Sequence, residues 1–373
     1  MINIGITGIS GLLGWHLRAY LYSLKDINIQ GATRETFESD AELIRFVSSS
    51  DVIVHFAGAN RGDDEDILQT NTGLTDKLIN ALKKNANKPH IIFASSTQIH
   101  KNTVYGNSKI ECSKKLQIWA KDNDALFSNL ILPNIFGEHG KPFYNSVVST
   151  FCYQIANNQI PEIKIDAEIE FLHAGEVARK IYKIINDKRT GSINFSGVSF
   201  KVSSLLKMIQ DFARLYKDRL IPDLKEKFDL QLFNTYRSYL YPQHYPVSLQ
   251  LNKDGRGEVF ETARSLSAGQ SFISTTKPGV TRGNHYHLEK FERFIVLKGK
   301  AVIKIRRLFS NDINIFEVNG ETPSFIDIPT LHTHNIINID TKELVTFFWS
   351  NEIFNPDLPD TFLENVEVKN EKT

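Results

Sequence analysis

A tyrosine and a lysine four residues apart, Tyr105 and Lys109, are the residues in this sequence best suited to moving a proton. On a helix these two positions lie on one face, so the side chains can meet. An ammonium group beside a phenol favours the phenolate, which predicts a lowered pKa for Tyr105. Such a tyrosine can exchange a proton with a carbonyl oxygen while a nicotinamide exchanges a hydride with the carbonyl carbon. The pair therefore predicts interconversion of a ketone and an alcohol.

A glycine-rich turn near the start of the chain can hold the nicotinamide cofactor. An apolar run, predicted to be a strand, is followed by Gly8, Gly11 and Gly14 and then by a helical pattern that includes Leu12. Gly8 permits a tight turn, Gly11 lets the backbone approach a pyrophosphate, and Gly14 lets the helix pack closely on the strand. The N-terminus of the helix would direct free N–H groups at the phosphates.

Two further stretches are expected to contact this cofactor. Arg34 follows the second predicted strand, 27–32, at the place where a dinucleotide fold meets the adenosine ribose. An acidic residue there would bind the 2′-hydroxyl of NAD, whereas a cation suits the 2′-phosphate of NADP. Arg34 therefore predicts NADPH, with an ordinary solvated arginine as the alternative. Ala57 and Gly58 end the third strand with small side chains where the backbone would pass the cofactor.

Histidines and a carboxylate later in the chain can converge on a cation. His285 and His287 alternate on a predicted strand and therefore project to the same side. Glu292 lies on the next predicted strand and can face them. Imidazole and carboxylate groups that converge in this way are ligands for a divalent ion.

Two different element patterns must position these groups. In the first half, strands alternate with helices, which predicts a doubly wound parallel α/β sheet. The strands are expected at 27–32, 51–58 and 90–94. Helices are expected at 40–47, where Asp40 is the cap, and at 67–82. Helices are also expected at 203–217 and 223–233. Beyond Pro242 the period changes to short alternating runs, which predict an all-β sandwich or barrel. We expect domains at 1–243 and 244–373, and a frayed charged tail from Glu364.

Composition narrows the class of protein. The 373 residues are enough for about two domains, and the net charge of +1 gives no reason to expect nucleic acid or an anionic membrane surface. The two cysteines, Cys112 and Cys152, are isolated, which fits a reducing compartment without disulfides. No apolar stretch approaches the ~18 residues of a membrane span, and the N-terminus lacks a signal-peptide pattern. We expect a soluble, cytoplasmic protein.

The first half resembles the extended short-chain dehydrogenase/reductase family, through the glycine turn, the strand end Ala94-Ser95-Ser96-Thr97 and the Tyr-x-x-x-Lys pair. Many members act on nucleotide sugars. The resemblance implies a catalytic group of Ser96, Tyr105 and Lys109, in which Ser96 helps to polarise the carbonyl; Ser95 and Thr97 are alternatives. It also implies that Lys109 contacts the nicotinamide ribose.

Two more elements agree with this family. Leu132-Pro-Asn-Ile-Phe-Gly137 resembles the element in which an asparagine, here Asn134, contacts the substrate, although Ile131 stands where the family usually has arginine. Phe171 to Val177 resembles an element before a late helix, with Glu176 in place of the usual aspartate and in a structural role.

The histidine region resembles the first cupin motif, which implies an all-β cupin barrel. Gly279, the two histidines, Glu292 and Gly299 all match, and a partial second motif supplies His334, with His332 as an alternative. The resemblance implies that a divalent ion is bound by His285, His287, Glu292 and His334. Zinc is our choice, with nickel, manganese or iron as alternatives.

The whole chain resembles the CapF type of bifunctional capsular-polysaccharide enzyme. One supporting stretch, 254–261, is similar to the opening of cupin-type deoxysugar epimerases and implies that Arg256 binds substrate, with an ordinary hairpin as the alternative. The resemblance implies a homodimer that acts on a UDP-linked 2-acetamido-2,6-dideoxy-4-ketohexose. The cupin would epimerise C3 and the reductase would reduce C4 with NADPH, giving UDP-N-acetyl-6-deoxy-L-talosamine on the way to UDP-N-acetyl-L-fucosamine.

Two other functions stay open. The cupin could be a purely structural, dimerising module attached to a reductase. The chain could instead be a regulator that senses NADP(H) without turnover, although the intact Ser96, Tyr105 and Lys109 speak against it.

Overall fold

The structure, a computed structural model, describes residues 1–368 and divides into two compact units. The first unit comprises 1–150 and 163–205, and the second comprises 151–162 and the residues from Leu206 onward. Residues 206–243, which we expected in the first domain, therefore group with the second unit. The boundary between two activities near residue 243 stays a prediction.

The chain up to residue 217 alternates between strands and helices. The elements are β1 Ile2–Thr7, α1 Leu12–Tyr22, β2 Ile27–Ala32, α2 Arg34–Glu38, α3 Asp40–Ser48, β3 Val52–His55, α4 Asp64–Lys83, β4 His90–Ser96, a 3-10 turn Thr97–His100, α5 Val104–Asp122, β5 Phe127–Leu132, β6 Asn134–Phe136, α6 Val147–Ala156, β7 Glu168–His173, α7 Ala174–Asn186, β8 Gly191–Asn194, β9 Val198–Lys201 and α8 Val202–Lys217.

A six-stranded parallel sheet in the order β2-β1-β3-β4-β5-β8 forms the centre of the first unit. Successive side chains of β3 point to opposite faces of this sheet. Val52 and Val54 join the apolar cluster that includes residues of α1 and α7, whereas Ile53 joins the cluster that includes residues of α3, α4 and α5. Both faces are covered by helices, so the predicted doubly wound fold is confirmed. One detail differs: Ser39, rather than Asp40, caps α3, because its hydroxyl accepts from the Glu42 N–H.

The second unit is mostly antiparallel β structure. Its further elements are β10 Leu220–Ile221, α9 Lys227–Arg237, β11 Val247–Ser248, β12 Asn252–Asp254, β13 Gly257–Val259, β14 Arg264–Ser265, β15 Gln270–Thr276, β16 Thr281–Tyr286, β17 Glu292–Lys298, β18 Lys300–Arg307, β19 Ile313–Asn319, β20 Ser324–Ile328, β21 His332–Asn338, β22 Leu344–Ser350 and β23 Phe362–Leu363. Two five-stranded sheets have the orders β11-β20-β17-β22-β15 and β19-β18-β21-β16-β23. Apolar side chains of both sheets, including Phe294, Ile303 and Ile336, form one core.

The predicted fraying from Glu364 is wrong for residues 364–368. Val366 is fully buried, and the Arg306 guanidinium donates to its carbonyl oxygen and to the Glu364 carboxylate. The remainder of the predicted tail, 369–373, lies outside the described residues. Cys112 and Cys152 are buried free thiols. Within residues 1–368, no helix is long and apolar enough to cross a membrane.

Candidate functional site

The predicted tyrosine and lysine lie at the start of α5, beside the carboxyl end of β4. Thr103 caps the helix by accepting from the Gly106 N–H, which places Tyr105 in the first turn and Lys109 one turn later. Lys109 is buried; its Nζ donates to the Ala94 carbonyl oxygen at 3.0 Å and lies 5.7 Å from the centre of the Tyr105 ring. Ser96 ends β4 and its Oγ accepts from the Gln98 N–H at 3.2 Å.

Burial controls the protonation of this pair. It raises the pKa of Tyr105 to about 12 and lowers the pKa of Lys109 to about 8, because a desolvated phenolate and a desolvated ammonium are both disfavoured. The expected lowering of the Tyr105 pKa is therefore wrong for the protein without cofactor. A phenol that keeps its proton at neutral pH is a proton donor, which is the form that reduction of a ketone requires.

The glycine turn has the geometry that a phosphate needs. Gly8 has a φ of +67°, and a side chain on Gly14 would place Cβ 2.3 Å from the Gly8 carbonyl oxygen. A Cβ on Gly11 would make a tight contact of 3.3 Å with that same oxygen and would have no other heavy atom within 4 Å. The next residue, Leu12, begins α1. The turn therefore fits a pyrophosphate at the N-terminus of this helix.

A hydroxyl that the sequence analysis missed joins the two loops at this edge of the sheet. Thr7, the last residue of β1, accepts from the Ala57 N–H at 3.1 Å, and its Oγ1 lies 2.7 Å from Nδ1 of His55. Burial lowers the pKa of His55 to about 3, so the imidazole that shares this hydrogen bond with Thr7 stays neutral.

Asn71 of α4 is a second residue that was missed. Its amide accepts from the N–H of Ala59 at 2.7 Å, donates to the carbonyl oxygen of Ala59 at 3.0 Å, and donates to the Ser108 hydroxyl at 2.9 Å. It therefore connects the turn that contains Ala57 and Gly58 with the residue before Lys109. A Cβ on Gly58 would lie 2.7 Å from the Asn71 Oδ1, which explains the glycine. The signal that could have identified Asn71 in the sequence is its position as a polar residue on the buried face of α4.

The other predicted residues of the first unit occupy the expected elements. Arg34 is exposed and begins α2, separated from β2 only by the capping residue Thr33. Asn134 is exposed at the start of β6, and Ile131 is buried in β5. Glu176 pairs with Arg179 at 3.1 Å on α7, which agrees with a structural role.

His16, Glu138 and His173 form a buried cluster that resembles a metal site only in composition. Nδ1 of His173 accepts from the Gly175 N–H, so its proton is on Nε2, which donates to the Glu138 carboxylate at 2.8 Å. Nε2 of His16 donates to the Glu138 carbonyl oxygen at 3.1 Å. A metal needs lone pairs where these two rings present N–H groups. The cluster is therefore a hydrogen-bond network.

The second unit brings His285, His287, Glu292 and His334 together, with one ligand atom of each within 4.8 Å of the others. His285 on β16 faces His334 on β21 in the register of the sheet. Nε2 of His287 and Nε2 of His334 lie 3.3 and 3.6 Å from the Glu292 carboxylate. Ligand bonds of about 2.0–2.1 Å in a tetrahedral site hold neighbouring ligand atoms about 3.4 Å apart. These separations suit a metal ion.

The protons of these imidazoles lie away from the cluster. Nδ1 of His287 donates to the Asp360 carbonyl oxygen at 2.6 Å, and Nδ1 of His334 lies 3.3 Å from the His332 carbonyl oxygen. The Nε2 atoms of His287 and His334 are buried without a hydrogen-bond partner. Two lone pairs and a carboxylate with this arrangement fit a divalent cation.

Two further residues of the second unit were singled out by the sequence, His332 as an alternative metal ligand and Arg256 as a substrate-binding residue. His332 lies outside the cluster: its Nδ1 faces the Thr330 carbonyl oxygen and its ring packs edge-on against Tyr241. Arg256 lies in the turn between β12 and β13, where its side chain is 91% exposed and donates to Asp254. Substrate binding by Arg256 stays a prediction.

Comparisons with known proteins agree with this two-part organisation. The profile of the NAD-dependent epimerase/dehydratase family matches residues 4–195, and that of the polysaccharide biosynthesis C-terminal domain matches 252–362. A Pseudomonas aeruginosa protein named UDP-2-acetamido-2,6-beta-L-arabino-hexul-4-ose reductase is 31% identical over 97% of this chain and 98% of its own length.

Solved structures resemble either the whole chain or a part of it. The capsular polysaccharide assembling protein CapF from Staphylococcus aureus is 33% identical, with a TM-score of 0.63 over 98% of this chain and all of that chain. RMD from Pseudomonas aeruginosa, solved with NADPH, is 20% identical with a TM-score of 0.53 over 57% of this chain and 84% of its own, and shows the shared fold alone. Sequence, fold and site together show that this chain belongs to the NAD-dependent epimerase/dehydratase family, joined to a polysaccharide biosynthesis C-terminal domain.

Proposed function

We propose that this chain is an NADPH-dependent reductase of a UDP-linked 2-acetamido-2,6-dideoxy-4-ketohexose in capsular polysaccharide synthesis. The observation that carries the proposal is the buried pair at the start of α5, where Tyr105 keeps its proton beside Lys109. The substrate class comes from the name of the Pseudomonas relative, which aligns over almost the whole chain. Arg34, at the carboxyl end of β2, supports NADPH over NADH.

The residues of the first unit have separate roles in this proposal. NADPH, when bound, supplies a hydride to the carbonyl carbon C4. Tyr105 donates its phenolic proton to the C4 oxygen, and Ser96 donates a hydrogen bond to the same oxygen. Lys109 places a positive charge near the phenol as it loses its proton. Asn134, exposed at the start of β6, orients the sugar.

The second unit would act before the first in the proposed reaction sequence. A ketone at C4 makes the C3 proton acidic, so C3 can be inverted only while the ketone is present. Reduction at C4 removes the ketone and ends this reactivity. We therefore assign C3 epimerisation to the second unit, which gives UDP-N-acetyl-6-deoxy-L-talosamine after reduction, on the way to UDP-N-acetyl-L-fucosamine.

We further propose that the second unit is a cupin whose two antiparallel sheets close as a barrel around a divalent ion. His285, His287, Glu292 and His334 would hold the ion, and zinc suits this set of nitrogen and oxygen ligands. A divalent ion would supply a Lewis acid. We also retain as proposals the homodimer implied by the CapF resemblance and the cytoplasmic location that the two isolated cysteines favour.

The reductase assignment is tested with the full-length protein, the UDP-4-keto sugar and NADPH. Tyr105→Phe should abolish NADPH oxidation but leave NADPH binding nearly unchanged, because only the proton-donating hydroxyl is removed. Tyr22→Phe is the matched control, since Tyr22 is exposed on α1 and should react as the unaltered protein does. Substantial turnover by Tyr105→Phe would contradict the assignment. NADPH binding without any turnover by the unaltered protein would favour the regulator.

The epimerase assignment is tested by hydrogen exchange at the sugar. Without NADPH, the full-length protein in deuterated water should exchange the C3 proton of the 4-keto sugar, because enolisation needs no hydride. Tyr105→Phe should retain this exchange, and His334→Ala should lose it together with the bound metal. A metal-loaded protein without exchange above the buffer rate would instead favour a structural, dimerising cupin.

A further inference from the structure

The segment Asp360–Val366, which we name the C-terminal strap, contacts the residues that carry the candidate metal ligands. The Asp360 carboxylate accepts from three successive backbone N–H groups, those of Leu288 at 2.9 Å, Glu289 at 2.9 Å and Lys290 at 2.7 Å. These three residues lie in the four-residue loop, 288–291, between His287 and Glu292. The carboxylate of Asp360 therefore fixes the backbone that connects two ligands.

The backbone of Asp360 acts on one of these ligands directly. Its carbonyl oxygen accepts from Nδ1 of His287, which fixes the orientation of the ring and leaves Nε2 free to coordinate. Asp360 has a φ of +40°, in the left-handed region that a residue with a side chain rarely adopts. The four hydrogen bonds that Asp360 accepts hold it in this conformation.

The middle of the strap pairs with the strand that carries another ligand. Leu363 of β23 lies opposite His285 of β16, and Phe362 lies opposite Tyr286. The N–H of Glu364 then donates to the Asn284 carbonyl oxygen at 2.9 Å. Strand β16 is thus held by β23 on one side and, on the other, by β21, which carries His334.

The far end of the strap is anchored in the same sheet. Arg306, buried in β18, donates to the carbonyl oxygens of Asn365 and Val366, each at 2.7 Å, and to the Glu364 carboxylate at 2.9 Å. Val366 has no exposed surface. The match to the polysaccharide biosynthesis C-terminal domain ends at residue 362, so these anchoring residues lie beyond it.

We propose that the C-terminal strap is the positioning element of the metal centre, with Asp360 as its positioning residue. This inference rests on the proposed metal site. The strap holds His287 through the Asp360 carbonyl oxygen, the loop after His287 through the Asp360 carboxylate, and His285 through β23. These three contacts keep the ligand atoms in place. Loss of such supporting bonds typically weakens metal binding by about 10–100-fold.

The test compares Asp360→Ala and Asp360→Asn with the unaltered full-length protein. Zinc affinity is measured by competition with a chelator, and ligand geometry by the absorption spectrum of the cobalt(II) form. Backbone hydrogen exchange of residues 288–290 is measured without metal. Asp357→Ala is the matched control, because Asp357 is an exposed aspartate three residues away.

We expect Asp360→Ala to bind zinc at least about tenfold more weakly, with an altered cobalt spectrum and faster exchange at 288–290. Asp360→Asn retains one acceptor oxygen, so its zinc affinity and its exchange at 288–290 should lie between those of Asp360→Ala and the unaltered protein. It also replaces the alanine variant in the test if that variant does not fold. Asp357→Ala should match the unaltered protein in all three measurements.

The outcomes separate the strap from the metal site. Equal zinc affinity and equal cobalt spectra in the unaltered protein and both Asp360 variants would overturn the strap as a positioning element and leave the metal site standing. A protein that binds no zinc or cobalt, yet loses protection at 288–290 in Asp360→Ala, would overturn the metal site and with it the positioning role, while leaving the strap as a structural clamp.

Discussion

Replacing Lys109 with methionine should stabilise the protein without cofactor while abolishing reduction. Burial lowers the pKa of Lys109 from 10.5 to about 8. At 1.36 kcal/mol for each pKa unit, keeping the ammonium buried costs the folded state about 3 kcal/mol at neutral pH. The methionine would lose the hydrogen bond from Nζ to the Ala94 carbonyl oxygen, which is worth about 1 kcal/mol. The expected net gain is about 2 kcal/mol.

The pH dependence gives this prediction a definite sign. Between about pH 8 and pH 10.5 the unfolded chain binds more protons at Lys109 than the folded chain does. The free energy of unfolding of the unaltered protein therefore rises with pH across this range. Below it, Lys109 is protonated in both states and the penalty is complete. The advantage of Lys109→Met should be largest at neutral pH and disappear as the pH approaches 10.5.

Thermal unfolding followed by calorimetry measures the effect. For a unit of this size, about 2 kcal/mol corresponds to a rise in Tm of roughly 4–8 °C. Lys115→Met is the matched control on the same helix, because Lys115 is partly exposed and pairs with Asp76 at 2.9 Å and Glu111 at 3.0 Å. It should give no gain. A lower Tm for Lys109→Met at neutral pH, or an advantage that does not change with pH, would refute the reasoning.

Two further predictions concern the first unit. Arg34→Ala should weaken the binding of NADPH by about 1.5–3 kcal/mol while barely changing the binding of NADH, because one charge-assisted phosphate contact is lost. Steady-state kinetics with both cofactors measures this difference, and equal catalytic efficiencies with NADPH and NADH in the unaltered protein would contradict it. Glu138→Ala should lower the free energy of unfolding by about 1–3 kcal/mol, since it leaves the buried Nε2–H of His173 without an acceptor, whereas Glu138→Gln should lose less. The pKa of Glu138 is lowered from 4.5 to about 2 in the folded protein, so the stabilisation by its carboxylate is complete above about pH 4.5 and is lost as the pH falls towards 2. Acid unfolding of the alanine variant and of the unaltered protein can check this pH dependence.

The parts of the fold that could be predicted from sequence depend on local periodicity. Val52, Ile53 and Val54 are apolar in succession because both faces of their strand are buried, and this pattern predicts a parallel sheet covered by helices. Tyr105 and Lys109 could be paired because four residues on a helix place two side chains on one face. Such features need no knowledge of distant segments.

The protonation of that pair could not be predicted in the same way. A neighbouring ammonium favours the phenolate, but burial opposes it, and burial is set by segments that the local spacing does not specify. Lys109 is enclosed beside Phe93, which lies on β4, and close to Gly58, which follows β3. The sequence therefore predicted that the two side chains lie close together, as they do in the structure, but it predicted the direction of the Tyr105 pKa wrongly.

Long-range pairing also explains the wrong prediction for the C-terminal tail and the grouping of residues 206–243 with the second unit. A charged tail predicts solvation, yet Val366 is buried and its partner Arg306 lies 60 residues earlier. Residues 206–243 were assigned to the first domain because they are helical. In the structure, Tyr216 of α8 donates to Asp327, which is also paired with Arg293, and this buried charged network belongs to the second unit.

The two histidine clusters show which part of a site a sequence can specify. His285, His287 and Glu292 lie within eight residues of sequence, with His285 on β16, His287 just after it and Glu292 at the start of β17. The two-residue period of a strand predicted that the two histidines project to one side, and the short connection allowed Glu292 to face them. His16 and His173 reach Glu138 from 122 and 35 residues away, and no local pattern predicts their meeting. Composition is almost the same in both clusters. What separates them is the nitrogen that carries the proton: backbone carbonyl oxygens lie at Nδ1 in His287 and His334, and a backbone N–H donates to Nδ1 in His173. Because that proton is set by backbone groups, only the folded chain distinguishes a cluster whose lone pairs suit a metal from a hydrogen-bond network.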